Sequence, residues 1–205
     1  DLAGVMKGAR FHLIRGAGHL PPVDRPADFA AALGGFLARI AHAAGRPMEK
    51  AAYPHPIAFN LIPRIGGLKG EHGGNTTEEL KMLNESRKIL GDRRIRVCAT
   101  CVRVPVFNAH CEALFVEFEK PMSPGQAREI LAQAPGVRLC DNVEADEYPM
   151  PILASGVDDV LVGRIRADPS ARNGIALFVC GDNIRKGAAT NAIQIAEIMI
   201  AKGLK

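Results

Sequence analysis

Residues 159–180 read DVLVGRIRADPSARNGIALFVC and give the best indication of the fold class. The two ends of this segment, 159–167 and 174–180, are short runs rich in valine, isoleucine, leucine and phenylalanine, which is typical of β-strands. The residues between them, 168–174, include a proline, a serine, an asparagine and a glycine, which together favour a turn. The sequence therefore predicts two strands joined by a loop.

Further short strands and helices are predicted around this pair. Apolar spacing and breaker residues predict strands over 95–107, 112–119 and 137–141, and helices over 77–90, 124–134 and 186–202. Thr76 and Glu79 have the spacing of a capping box before the first of these helices. The pattern predicts an α+β fold, with a mixed, mainly antiparallel sheet and helices on one face.

Two other expectations concern the ends of the chain. A short strand over 9–15 and a helix over 26–44 form a strand–helix segment that precedes the sheet. The last helix carries an unusually large apolar set, which includes Ile193, Ile198 and Ile200, so we expect it to be largely buried.

The composition is that of a globular protein large enough to bury a core. The chain has 205 residues, 47% hydrophobic and 23% charged, with a net charge of +4. The cations are dispersed, and the absence of Trp and the presence of only two Tyr argue against a nucleic-acid surface with stacking aromatics. The mild positive charge is compatible with an enzyme that binds anionic metabolites, but it is equally compatible with other functions.

Cysteine usage and hydropathy indicate a cytoplasmic protein without a membrane partner. The sequence has five cysteines, no secretory signal and no apolar run of membrane length. Cys98 and Cys101 form a C-x-x-C, but no second pair stands at zinc spacing, so we expect core cysteines and no metal site. The first residue is Asp rather than Met, which suggests a trimmed or partial sequence.

Residues 76–110 hold the chemistry-bearing side chains. Glu78 and Lys81 are three apart and share a helix face, Arg103 lies in a predicted strand among apolar face neighbours, and His110 follows that strand. Arg binds a carboxylate or phosphate through a fork of donors, and His transfers protons near neutral pH. This set suits a small, doubly anionic substrate and a proton-transfer step.

Structural alternatives stay open for each of these residues. Glu78 and Lys81 could form an ordinary solvated helix face, and Arg103 could pair with Glu78 or Glu112. His110 could be a structural histidine at a loop end. Residues 182–189, DNIRKGAA, could receive an anion before the last helix or could be only a tight strand-to-helix turn.

The chain from 53 to 205 resembles the carboxy-terminal half of the aspartate-semialdehyde dehydrogenase family. The resemblance is carried by blocks in the family's order, namely YPHPIAFNLIPRI (53–65), TEELK (77–81), ATCVRVPV (99–106), YPMP (148–151), VGRIRAD (162–168) and DNIRKGAATNAIQIAE (182–197). It implies a substrate-binding and dimerisation domain of the glyceraldehyde-3-phosphate-dehydrogenase-like type. It also implies a homodimer that acts in lysine, diaminopimelate, threonine and methionine biosynthesis.

The resemblance also implies an activity and residue roles. The family converts L-aspartyl 4-phosphate and NADPH into L-aspartate 4-semialdehyde, phosphate and NADP. By the same resemblance, Arg103 binds the α-carboxylate, Glu78 the amino group and Lys81 the phosphate, and His110 is the general acid/base. Gln194 and Asn191 are expected beside the NADP.

The sequence departs from the family pattern at the nucleophile. The family's cysteine stands in an Asn-Cys-Ser/Thr context, and that context is absent here, as are the glycine-rich dinucleotide loop and the Gln-containing strand beside the nucleophile. Cys111 is next to His110, but adjacent strand residues point to opposite faces. Cys101 is expected to serve packing. An inactive dimerising or anion-binding module is therefore the alternative function.

The beginning of the chain resembles a different family. Residues 9–40 are similar to the closing strand, histidine loop and helix of an α/β-hydrolase, with His19 in the place of a triad histidine. The nucleophile motif G-x-S-x-G is absent, so a hydrolase remnant is a second alternative. We therefore predict a hydrolase-like fragment over 1–47 and the dehydrogenase-like domain over 53–205.

Overall fold

A computed structural model describes residue 45 and residues 53–57, 60–68, 70 and 73–204 of the chain. The chain divides into two compact units, with the boundary between Phe107 and Asn108. The predicted strand at 9–15, the helix at 26–44 and His19 lie outside the described residues. The predicted division into 1–47 and 53–205 stays a prediction.

The main helix of the first unit, α1, spans Thr77–Leu90 and confirms the predicted helix. Its capping box is complete, because the Thr76 hydroxyl accepts from the Glu79 N–H and the Glu79 carboxylate accepts from the Thr76 N–H. Gly91 ends the helix with a left-handed φ of 68°. Local sequence signals alone therefore fix both ends of α1.

The predicted strand over 95–107 is wrong. The described part of the chain has only one isolated bridge there, in which Ile62 and Arg103 exchange two backbone hydrogen bonds of 3.0 and 2.9 Å. Pro63 and Pro105 lie on either side of this pair and have no N–H, so the ladder cannot be continued through them. The alternating apolar pattern indicated extended backbone, but a strand also needs a partner.

Side chains of α1 hold this extended segment in place of a ladder. The Arg87 Nε donates to the Ile95 carbonyl at 2.7 Å, and the Cys101 N–H donates to the Glu79 carboxylate at 3.1 Å. The Glu79 carboxylate thus caps the start of α1 and also binds the extended segment two residues before Arg103. Because these bonds are non-local in sequence, no periodicity could reveal them.

The second unit is built on a four-stranded sheet with the order β1-β4-β3-β2. The strands are β1 (His110–Glu117), β2 (Val137–Leu139), β3 (Val160–Asp168) and β4 (Gly174–Gly181). β4 pairs antiparallel with both β1 and β3, and β2 pairs parallel with β3. This mixed, mainly antiparallel sheet confirms the predicted fold class, and β3–β4 is the predicted strand pair.

Helices of this unit cover both faces of the sheet. Helix α2 (Pro124–Ala132) begins at a complete Ser123 capping box and packs Ala127 against Val162 and Ile175. The short α3 (Pro151–Ala154) buries Ala154 with Leu161 and Cys180. Leu161 and Val162 are successive strand residues and point to opposite faces, so two small cores result. The predicted helices on one face are thus observed as one helix on each face.

The chain after β4 passes through a π-helical turn (Arg185–Ala189) into helix α4 (Thr190–Ala201). The expectation that this last helix is largely buried is wrong in this structure, because Ile193 is 61% exposed and Ile200 is 78% exposed. The apolar residues of a helix can be read from the sequence, but whether another part of the protein buries them cannot. In the described part of the chain, no helix has the length and apolar character needed to cross a membrane.

A β-bulge in β3 shapes the sheet where it meets the segment around Cys140. The register with β4 shifts between Gly163 and Arg166, and Arg164 takes a left-handed φ of 57°. Gly163 has no room for a side chain, since an added Cβ would collide with the Cys140 carbonyl oxygen and lie 2.7 Å from the Pro149 Cδ. Since these neighbours are a backbone oxygen and a proline ring atom, they cannot easily move away to admit a side chain at Gly163.

Two charged side chains hold the backbone just after the bulge. Asp141 is almost completely buried and accepts from the Ile165 N–H at 3.2 Å and from the Arg128 Nε at 2.7 Å. A second nitrogen of Arg128 donates to the Ile165 carbonyl at 2.6 Å. The pair therefore satisfies both backbone groups of Ile165 at the point where the ladder is interrupted.

We expect Gly163→Ala to lower the free energy of unfolding by roughly 2 kcal/mol, because the new methyl group overpacks against rigid atoms. Gly181→Ala is the matched control, since a Cβ there would meet only the Val160 Cγ2, at an ordinary 3.7 Å. Urea unfolding of both variants measures the difference. Equal stabilities for the two variants would show that the close approach at Gly163 is not limiting.

Candidate functional site

Glu78 and Lys81 lie on the first turns of α1 and bind each other. The Lys81 ammonium is 3.2 and 3.3 Å from the two carboxylate oxygens of Glu78. The Lys81 side chain is 55% exposed and the Glu78 side chain is 37% exposed. The hydrogen bond to Glu78, and then the charges of Glu78 and Glu85, raise the pKa of Lys81. The predicted shared helix face is confirmed, and both groups remain accessible to a ligand.

Arg103 is held by its backbone and by an aromatic ring. Its N–H and C=O are both bonded to Ile62, and its guanidinium carbon lies 4.9 Å from the centroid of the Tyr53 ring. Among the described residues of its own unit, no carboxylate pairs with Arg103, so the alternative ion pair with Glu78 is not observed. Glu78 is engaged by Lys81 instead.

The contact with Tyr53 is a cation–π contact and not a hydrogen bond. Among the described residues of its own unit, the Arg103 guanidinium makes no hydrogen bond, so its five N–H groups stay available to a ligand. A carboxylate can therefore bind to Arg103 without displacing a structural partner. This geometry fits anion recognition better than a purely structural role.

His110 is exposed and occupies the first position of β1, opposite Gly181. The residue before it, Ala109, is buried and has an unusual φ of 79°. A left-handed conformation is costly for a residue with a side chain, so it persists only where its surroundings fix it. The turn that presents His110 is thus a fixed feature of the fold.

Asp182 is the group that fixes this turn. Its carboxylate is 4% exposed and accepts four hydrogen bonds of 2.7–2.9 Å, from the Asn108 side chain and from the backbone N–H groups of Gly156, Ile184 and Arg185. Burial acts to raise the pKa of Asp182, but the donors outweigh burial and lower the pKa from 3.8 to about 2. Sequence analysis did not predict this role for Asn108 or Asp182, because their hydrogen bond joins residues 74 positions apart.

Residues 182–189 form a tight turn, as one of the two interpretations predicted. The Arg185 guanidinium binds both carboxylate oxygens of Asp158 at 3.1 Å, so this cation is already partnered. The Lys186 ammonium donates to the Gln194 amide oxygen at 2.6 Å. That bond uses the acceptor end of Gln194, so Gln194 can offer a ligand the two hydrogens of its amide.

Near the same turn, one polar atom lacks a partner among the described residues. The side-chain oxygen of Asn183 is fully buried and accepts no hydrogen bond there. A buried unpaired acceptor is costly unless a ligand or a neighbouring chain completes it. Asn191 and Gln194 follow on α4 (Thr190–Ala201), and their assignment to a cofactor stays a prediction.

All five cysteines lie in the described residues and are thiols that form no disulfide with one another. Cys98 is exposed, which corrects the expectation of a core cysteine there. The Cys111 and Cys180 sulfurs are 3.0 Å apart, and burial, followed by the Cys111 contact, raises the pKa of Cys180 to about 12. Cys111 packs toward the core whereas His110 is exposed, as strand alternation predicts. Among the described residues, no three His, Cys, Asp or Glu side chains are grouped to hold a metal.

The predicted site residues are divided between the two units. Glu78, Lys81 and Arg103 belong to the first unit, whereas His110, Asn191 and Gln194 belong to the second. The first unit joins α1 to the Arg103 segment through Glu79. The second joins the His110 turn to the start of the Arg185–Ala189 turn through Asp182. A common site for all six side chains stays a prediction.

The low pKa of Asp182 predicts acid sensitivity. Because the folded-state pKa lies below the unfolded value, Asp182 stabilises the fold above about pH 4, and this contribution of about 2 kcal/mol is lost as the pH falls from about 4 to about 2. We expect Asp182→Asn to unfold more easily at pH 7 and to show a weaker pH dependence over that window. Glu129→Gln, at an exposed position of α2, is the control, and thermal unfolding between pH 7 and pH 2 measures both. An unchanged pH profile in Asp182→Asn would contradict the assigned role.

Comparison with known proteins agrees with the resemblance found in the sequence. A family model described as semialdehyde dehydrogenase, dimerisation domain, matches residues 30–186. An aspartate-semialdehyde dehydrogenase of Aquifex aeolicus is 53% identical over 161 residues, which are 78% of this chain and 47% of that protein. One of Corynebacterium glutamicum is 42% identical over 98% of this chain and 58% of its own length. The chain therefore spans about half the length of the curated relatives it matches.

Solved structures agree in fold. Aspartate semialdehyde dehydrogenase II of Vibrio cholerae, complexed with ASA, matches with a TM-score of 0.73 and 41% identity over 82% of this chain and 49% of that chain. The Candida albicans enzyme with NADP matches with a TM-score of 0.57 and 27% identity over 72% of this chain and 46% of that chain.

These matches also bear on the first residues of the chain. The family match begins at residue 30, and the Corynebacterium glutamicum alignment covers almost the whole chain, so the hydrolase-like interpretation of 1–47 finds no support. The matched range, which is more than half of the chain, shows that this chain belongs to the semialdehyde dehydrogenase dimerisation-domain family.

Proposed function

We propose that this chain is the substrate-binding and dimerising part of an aspartate-semialdehyde dehydrogenase. The reaction is the NADPH-dependent reductive dephosphorylation of L-aspartyl 4-phosphate to L-aspartate 4-semialdehyde, a step of lysine, threonine and methionine biosynthesis in the cytoplasm. The observation that carries the proposal is the family match over 30–186, which includes Glu78, Lys81, Arg103 and His110. The geometry of the first unit supports it, since Arg103 has no carboxylate partner there among the described residues.

Substrate binding would exchange one ion pair for several. In the free protein, Glu78 and Lys81 neutralise each other on the surface of α1. A ligand that carries an ammonium and a phosphate gives each of them a new partner, so neither charge is left unpaired when their mutual bond is broken. Arg103 then receives the α-carboxylate through its fork of donors. An amino-acid acyl phosphate has all three of these groups.

His110 supplies the proton-transfer group. It is exposed at the start of β1, and the Asp182–Asn108 hydrogen bond fixes the turn that carries it. An exposed imidazole is accessible to a ligand, and histidine is the side chain that most often transfers protons in catalysis. The left-handed Ala109 keeps the turn in one shape, which limits the loss of entropy on binding.

The cofactor proposed for this reaction is NADP. When bound, it supplies or accepts the hydride. Gln194 and Asn191 on α4 would hold it, with Lys186 fixing the Gln194 amide so that its hydrogens are presented. The buried oxygen of Asn183 is a further acceptor beside this turn.

The family assignment supports a homodimer as the working assembly.

A second candidate function is a dimerising or anion-binding module without catalysis. The observation that favours it is the lack of an Asn-Cys-Ser/Thr context at any of the five cysteines. The 205-residue polypeptide purified alone is therefore expected to give no turnover with L-aspartyl phosphate and NADPH, because the sequence context of the family's acyl-forming cysteine is absent. Loss of nicotinamide absorbance measures this. A robust rate would mean that one of the five cysteines is the nucleophile.

The roles of Arg103 and Lys81 can be separated by exchanging the two cationic residue types. Arg103→Lys should weaken L-aspartate binding by about tenfold, because a single ammonium cannot replace the fork on a carboxylate. Lys81→Arg should change phosphate binding by no more than about twofold, because either cation binds phosphate. NMR titration with L-aspartate and with inorganic phosphate measures both.

Arg96→Lys is the matched control for Arg103→Lys, since Arg96 is an exposed arginine of the same extended segment. It should leave both affinities unchanged. Equal losses in Arg103→Lys and Lys81→Arg would count against the assigned roles.

A further inference from the structure

Tyr53 is the aromatic residue on which the Arg103 guanidinium rests. The guanidinium carbon lies 4.9 Å from the ring centroid, within the range of a cation–π contact. Tyr53 stands before Pro54 and Pro56, in a segment without regular secondary structure. Proline restricts the backbone of such a segment, so the ring is carried by a chain with few accessible conformations.

The rest of Arg103 is already fixed by backbone contacts. Two hydrogen bonds to Ile62 hold its main chain, and the Cys101 N–H, two residues earlier, is held by Glu79. The long side chain is the part that remains free to choose among rotamers. Contact with the Tyr53 ring restricts that choice, because the guanidinium must lie near the ring.

An aromatic partner differs from a carboxylate partner in what it leaves for a ligand. A carboxylate would occupy the N–H groups of Arg103 and would compete directly with an incoming carboxylate. The Tyr53 ring contacts the guanidinium through a cation–π interaction, and the guanidinium makes no hydrogen bond among the described residues of its own unit, so its N–H groups remain for the ligand. Tyr53 therefore provides orientation without competition.

We propose that Tyr53 is a positioning residue that orients Arg103 for the α-carboxylate of the amino-acid ligand. This inference rests on the proposed function, in which Arg103 binds that carboxylate. It adds a specificity determinant that acts through Arg103 and touches no reacting atom. Its effect should be confined to ligands that carry the α-carboxylate.

The test compares two variants of Tyr53 with two probes. Tyr53→Met removes the ring at similar length and should weaken L-aspartate binding by about fivefold, whereas Tyr53→Phe keeps the ring and should bind L-aspartate as the wild type does. Inorganic phosphate, which is assigned to Lys81, should bind both variants unchanged. In an Arg103→Lys background, Tyr53→Met should cause no further loss.

Tyrosine fluorescence gives a readout that does not depend on Tyr53→Met being folded. The chain has two tyrosines, Tyr53 and Tyr148, and no Trp, so Tyr148→Phe leaves Tyr53 as the single tyrosine emitter. L-Aspartate should change this emission and inorganic phosphate should not.

Distinct results overturn the inference and the proposed function. If Arg103→Lys weakens L-aspartate binding but Tyr53→Met does not, Tyr53 has no positioning role. If Tyr53→Met weakens L-aspartate and phosphate binding equally, its role is general packing and the inference is wrong. An unchanged Tyr53 emission on L-aspartate binding would also overturn it. If Arg103→Lys itself binds L-aspartate normally, the proposed carboxylate site fails, and the inference fails with it.

Discussion

The buried carboxylate of Asp182 is the interaction on which the second unit depends. A carboxylate away from water is stable only when donors surround it, and Asp182 has four. These donors come from three places: the turn before β1, the loop after α3 and the turn after β4. One charge thus fixes both the turn that carries His110 and the approach to α4. Since the donors are fixed on one acceptor, these segments cannot move independently without leaving a buried charge unsatisfied.

The first unit uses a carboxylate in a similar way. Glu79 caps α1 through the Thr76 N–H and also accepts the N–H of Cys101, in an extended segment that has a single isolated bridge among the described residues. The two backbone hydrogen bonds lower the pKa of Glu79, so the group remains charged at neutral pH. In both units, a carboxylate accepts hydrogen bonds from backbone N–H groups that lie outside the α-helices and the sheet. The predicted site residues Lys81, Arg103 and His110 lie close in sequence to these points.

The candidate site combines fixed groups with exchangeable ones. The Arg103 backbone is bound at both its N–H and its C=O, and its side chain lies over Tyr53. Glu78 and Lys81, in contrast, hold only each other at an exposed surface, where an ion pair contributes little stability. In the proposed function, the substrate separates this pair at low cost and binds an arginine that Tyr53 orients. The preorganised Arg103 side chain and the easily separated Glu78–Lys81 pair would both favour ligand binding.

The sequence by itself determined the elements whose signals are local. The cap at Thr76 and the strand pair around 168–174 are encoded within a few residues, and the structure agrees with both of them. The family blocks also indicated Arg103 and His110 as site residues. The sequence-based predictions were wrong where the outcome depends on a distant partner. Among the described residues, the extended segment at 95–107 pairs with Ile62 alone, and α4 is exposed. Only the tertiary structure decided that Asp182 joins three segments and that Tyr53 lies against Arg103, because hydrogen bonds and ring contacts between residues far apart in the chain leave no periodicity to read.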